Sequence, residues 1–118
     1  MDRSSDIVNA QLACSIRAYL PGVHPGVCTA PYAVVQMCGA SVRTESRMGG
    51  SAGYRVHIFV PAERPAMLEP FACRVQEALR PLERSGVLRL TAPRSPAAVS
   101  DRFAALGCQI EYTSEYRA

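Results

Sequence analysis

The chain contains no lysine and no tryptophan, and aromatic residues make up only 7% of its 118 positions. It also lacks a CxxC pair, a block of like charges, and any apolar run near the roughly 18 residues that suggest a membrane span. Each absence excludes something. A phosphate-binding loop needs a strand before it, a helix after it and a Lys-Ser/Thr pair. The cluster Gly49-Gly50-Ser51-Ala52-Gly53 precedes a strand-like run in a lysine-free chain, so it reads as a flexible hairpin loop. Zinc sites show two paired-ligand spacings, whereas His24 and Cys28 form a single pair. The 13 arginines give a net charge of +3 but are scattered, at Arg17, Arg43, Arg55, Arg74, Arg89 and Arg117 among others. A nucleic-acid footprint is clustered. The opening Met-Asp-Arg-Ser-Ser-Asp has no basic region leading into an apolar one, so no secretion signal is expected. The five cysteines, Cys14, Cys28, Cys38, Cys73 and Cys108, are odd in number and sit mostly in apolar stretches. They are expected as small buried hydrophobes in a reducing compartment, without a disulfide.

What is present is a composition that folds. Hydrophobic residues are 48% of the chain and charged residues 19%, the balance of a globular domain. A chain of this length buries about two-thirds of its surface in one domain without metal or disulfide staples. No repeat or linker divides residues 1–118. Val8, Leu12, Ile16 and Tyr19 recur at helical spacing and predict a helix from about Ser5 to Leu20, with Ser4, Ser5 and Asp6 as cap candidates and Pro21-Gly22 as the stop. From Pro31, in Tyr-Ala-Val-Val-Gln-Met-Cys-Gly-Ala-Ser-Val-Arg, both alternating sets are largely apolar, as in a strand covered on two faces. Gly39 marks a bend or bulge there. Thr44 to Gly53 reads as a loop. In the next strand Tyr54, Val56, Ile58 and Val60 face one way, while Arg55, His57 and Phe59 face the other. The two strands predict an antiparallel hairpin.

A second helix starts at Pro65 or Pro70 and runs to Leu82. Leu68, Phe71, Ala72, Val75, Leu79 and Leu82 form its apolar face. Pro70 fits the first turn and Ser85-Gly86 the end, while Pro81 threatens the last turn. Val87–Ala92 reads as a third strand, Pro93–Ser100 as a proline-containing connection, and about Arg102 to Thr113 as the last strand, with Ala104, Leu106, Cys108, Ile110 and Tyr112 in phase. The expected fold is therefore α+β and two-layered, an antiparallel sheet with helices on one face in the order α-β-β-α-β-β.

Site chemistry is sparse. No nucleophile signature surrounds any cysteine, and His57 lies mid-strand opposite the apolar set. Glu69, Glu77 and Glu83 run beside Arg74, Arg80 and Arg84 as a solvated helix face. Glu111 and Glu115 alternate away from the core. No catalytic residue, metal or cofactor is expected. Helix, strands and helix also match the order of a double-stranded-RNA domain, but that module needs basic residues at its second helix start. This helix begins Pro65-Ala66-Met67-Leu68-Glu69. A small nucleic-acid-binding domain and a small α+β ligand-binding domain both stay open.

Taken together, Ala30-Pro31-Tyr32-Ala33-Val34-Val35 after a short helix, the glycine-rich hairpin, Tyr54-Arg55-Val56-His57-Ile58-Phe59-Val60-Pro61, the amphipathic helix and two closing strands resemble the tail-terminator and tail-completion proteins of long-tailed bacteriophages. The resemblance runs from about Val8 to Tyr112. The five cysteines and the missing tryptophan depart from a typical member. The resemblance implies a virion protein without catalytic residues, assembled in the host cytoplasm and away from membranes. It implies self-association into a homo-hexameric ring that caps the tail tube protein, meets the head–tail connector protein, and makes at most non-specific contact with passing DNA. The residues expected at protomer or tube contacts are Arg43, Glu45, Arg47 and Met48 of the hairpin tip, with Arg55 and His57 on the strand that follows.

Overall fold

A computed structural model describes residues 3–22, 27–42, 50–100 and 104–116. Three long strands dominate: β2 (Tyr32–Val42), β3 (Gly50–Pro61) and β6 (Ala105–Tyr116), following β1 (Ala18–Tyr19) and accompanied by β4 (Arg89–Ala92) and β5 (Ala98–Ser100). They form one six-stranded sheet in the order β1-β2-β3-β6-β4, with β5 also on β6. Every pairing is antiparallel except β1 with β2. A twelve-residue strand spans about 40 Å, and the molecule measures 50 × 26 × 24 Å, elongated.

Two helices, α1 (Ser4–Ala13) and α2 (Leu68–Arg84), cover one face of the sheet. Tyr54, Val56, Ile58 and Val60 are at most 1% exposed, and Phe71, Ala72, Val75 and Leu79 pack onto them. The clean alternation of residues 54–60 and the 3.6-residue stripe of α2 meet as expected. At about 1.5–3 kcal/mol per buried large side chain, this layer is the main source of stability. α2 begins after a tight turn over Pro65–Met67, holds Pro70 in its first turn and continues through Pro81 to Arg84. Ser85 and Gly86, the latter at φ 83°, close it.

The structure corrects several boundaries. α1 ends at Ala13, seven residues short of the expected Leu20. The chain turns at Ser15, which has φ 60°, and the Ile16 amide donates to the Gln11 carbonyl. Ala18 and Tyr19 then pair in parallel with Ala33 and Val34 of β2. Tertiary pairing wins here because the β2 edge offers ladder partners, and β-branched or aromatic residues such as Ile16 and Tyr19 lose little on leaving a helix. The buried helical stripe is Ser4, Ile7 and Gln11, whereas Leu12 is 51% exposed. Arg3, not Ser4, Ser5 or Asp6, occupies the cap position, with no side-chain cap bond. Its amide donates to the Tyr54 hydroxyl at 2.7 Å, fixing the helix start to the sheet.

The glycine cluster is strand from Gly50 onward, not loop as far as Gly53. Gly50–Gly53 sit between β2 and β6 and pair with both, so ladder bonds on two sides hold residues that have poor strand propensity. β6 runs from Ala105, which follows Ala104 at φ 51°, to Tyr116; the expected start near Arg102 lies outside the described residues. The Pro93–Ser100 connection contains β5 and is tied to β6 at Ser95, whose amide donates to the Gln109 carbonyl. The ladder shift between Met37 and Gly39 matches the expected irregularity. Cysteine burial departs from expectation: Cys28 is buried and Cys108 half-buried, but Cys14, Cys38 and Cys73 are exposed.

Candidate interface on the open sheet face

Among the described residues no helix covers the second face of the sheet, but its β1 end is closed around Cys28, which leaves Tyr32 2% and Val34 7% exposed. Strand alternation decides what that face carries. Tyr32, Val34 and Gln36 of β2 stand beside Phe59, His57 and Arg55 of β3, and these stand beside Gly107, Gln109 and Glu111 of β6. The face divides lengthwise. Toward the β1 end, Cys28, Tyr32, Val34 and Ala105 form a second apolar cluster with Tyr19 and Phe59 against it. The Tyr32 ring meets Tyr19 edge-on at 5.9 Å and Phe59 at 5.2 Å. Toward the hairpin tip the face becomes polar. His57 is 3.0 Å from the Gln36 amide oxygen, and Arg55 donates twice to one Glu111 oxygen, at 2.9 and 3.2 Å.

The Phe59 and His57 rings stack along their strand, 6.2 Å apart and within 8° of parallel. They form a ridge with a depression on each side. One, of about 220 Å³, is floored by Tyr32 and Val34 and reaches Pro21 and Gly22. The other, of about 200 Å³, lies against Ser95, Pro96 and β5. Burial, and then the neighbouring Arg55 charge, push the His57 pKa down, so the ring favours its neutral form. Burial also raises the Tyr32 phenol and the Cys28 thiol, and both stay protonated at neutral pH. The Glu111 hydrogen bond holds the Arg55 guanidinium more firmly charged.

Of the residues expected at contacts, Arg55 and His57 stand together on this face, two positions apart on β3. Arg43, Glu45, Arg47 and Met48 lie outside the described residues. Gln36 and Phe59 complete the accessible surface, and Tyr32 and Val34 lie buried beside it; none of the four is among the contacts expected from the sequence. Their signal was the doubly apolar run at Tyr32–Val35, which implies that a second face is also partly covered. Among the described residues no three His, Cys, Asp or Glu side chains converge as metal ligands, and no helix is long and apolar enough to cross a membrane. The accessible part of the face is the half-exposed Phe59 and His57 with Gln36 and the paired Arg55 and Glu111, while Tyr32 and Val34 are buried beneath it.

No family model and no curated protein matches the chain. Among solved structures it is similar to a chain of the virion of a native gene transfer agent particle, at TM-score 0.56 and 12% identity, covering 98% of this chain and 92% of that one. At that identity the likeness is one of fold, and it extends over the whole domain.

Proposed function

We propose that this chain is a virion structural protein without catalytic activity, a tail terminator or completion protein. In this reading it forms a homo-hexameric ring that caps the tail tube and joins it to the head connector. The observation that carries the reading is the near-complete two-way coverage of the fold match to a virion chain. The sheet is compatible with the same reading, since one face is closed by helices and the other leaves Phe59 and His57 half-exposed beside the paired Arg55 and Glu111. Arg55 and His57 belong to the contact surface. The hairpin segment bearing Arg43, Glu45, Arg47 and Met48 reaches a neighbouring protomer or the tube, where its opposite charges set register more than affinity. DNA passing through such a ring meets only dispersed arginines, and contact with it is weak and non-specific.

The test is particle mass in solution beside negative-stain images of the protein with tail tubes. Six-fold rings seated at tube ends are expected. A chain that stays monomeric in the presence of tubes overturns the reading, and steeply salt-dependent duplex binding would favour a nucleic-acid-binding domain instead. Replacing residues 43–49 with an Asn-Gly turn is expected to leave the fold intact by circular dichroism and to abolish ring formation or tail attachment. Normal tails from that variant would remove the hairpin from the contact.

A further inference from the structure

We propose that copies of this chain join edge to edge, β2 of one copy pairing with β4 of the next, to make one continuous antiparallel sheet. The inference rests on the ring reading and names the surface that builds the ring. Its starting point is an asymmetry along the length of the sheet. At one end both edges are covered: β1 pairs Ala33 and Val34 on one side, and β5 pairs Ala105, Leu106 and Gly107 on the other. At the hairpin end neither is. Beyond Val34, among the described residues, no strand lies on the outer side of β2, and none lies outside β4. Unpaired backbone N–H and C=O groups along a strand edge form a template for another strand.

Natural proteins protect such edges with charge, proline or bulges. The free stretch of β2, Gln36-Met37-Cys38-Gly39-Ala40-Ser41-Val42, has no charge and no proline, and its one irregularity falls between Met37 and Gly39. The two free edges also sit at the same height. Met37 pairs with Tyr54, Tyr54 with Tyr112, and Tyr112 with Leu90, so one cross-strand row runs from edge to edge. Direct partners share a face. The inner pair, Tyr54 and Tyr112, is 1% exposed, while the outer pair, Met37 and Leu90, is 44% and 42% exposed. Both ends of a core row are thus apolar and open.

Strand direction selects the partner. Because β2, β3, β6 and β4 alternate, β4 runs opposite to β2. A second copy in the same orientation therefore brings β4 antiparallel to β2, with helices on the same side and Leu90 beside Met37. That contact is heterologous, and rotation between copies closes it into a ring. Pairing β2 with a second β2 instead would bury one Met37 against another and leave both Leu90 side chains open.

The experiment uses the full chain. Native mass spectrometry and sedimentation are compared for wild type, Met37→Glu, Leu90→Glu, and Met37→Glu with Leu90→Arg, with circular dichroism confirming the fold of each. Each single change should weaken self-association at least tenfold, and the oppositely charged pair should recover most of it. In a background where exposed Cys14, Cys38 and Cys73 are serine, Met37→Cys with Leu90→Cys should give a ladder of cross-linked multimers on oxidation. Rings that survive both single glutamates overturn the edge contact and leave the ring reading standing. Cross-linked dimers from Met37→Cys alone, with no ladder from the pair, overturn it in favour of a two-fold β2 contact. A wild-type chain that stays monomeric throughout overturns both.

Discussion

Gly107 is the residue whose replacement most sharply tests the packing of the open face. It faces Phe59 across the β3–β6 ladder, and the aromatic ring lies over it. A β-carbon at 107 would stand 2.8 and 3.0 Å from the Phe59 ring edge and 2.9 Å from the Ile58 carbonyl oxygen. The ring can swing aside, but only by leaving Tyr32 and His57, against which it packs at 5.2 and 6.2 Å. The carbonyl belongs to the ladder and cannot move without loss of pairing. Overpacking of this kind costs about 1–3 kcal/mol. Removing a glycine from a strand interior returns about 0.5–1 kcal/mol of backbone entropy. Gly107→Ala is therefore expected to destabilise by about 0–2.5 kcal/mol, with the melting temperature falling by about 4 °C per kcal/mol in a domain of this size. Phe59→Ala removes two of the three close approaches, so in the double variant the cost of alanine at 107 should shrink by at least about 0.5 kcal/mol, the coupling of residues in contact. Urea unfolding of the four proteins closes the cycle. An additive cycle, or a Gly107→Ala protein more stable than its parent, refutes the account.

Two further outcomes follow from the helix layer and the histidine. Phe71 is 4% exposed against β3, and Phe71→Ala should cost about 3–5 kcal/mol; a melting point within a few degrees of wild type would show that the α2 face is wrongly assigned. Because the pKa of folded His57 is lowered, the unfolded chain binds more protons once pH falls below the ordinary histidine range. Its contribution is full above pH about 6.5 and is lost as pH falls toward the depressed folded value. His57→Gln should thus flatten the decline in urea stability between pH 7.5 and 5.5, and an unchanged slope would mean that burial of the ring carries no such linkage.

Periodicity over short distances determined much of this molecule. The period-two run at residues 54–60, the stripe from Leu68 to Leu82 and the closing Ser85-Gly86 are local patterns, and each became the expected element because the buried face and the intrinsic pattern agree. Placing Arg55 and His57 on the face opposite the core needed only strand alternation. Tertiary structure decided the rest. Ile16 and Tyr19 sit at helical spacing, yet the open β2 edge drew the chain into β1 because backbone groups paired to a sheet outweigh two more turns of a weak helix. Gly50–Gly53 became strand because neighbours on both sides supply the bonds that glycine propensity opposes. The row from Met37 through Tyr54 and Tyr112 to Leu90 joins four residues from four strands. Its register follows from which strands pair, and only the assembled sheet sets that.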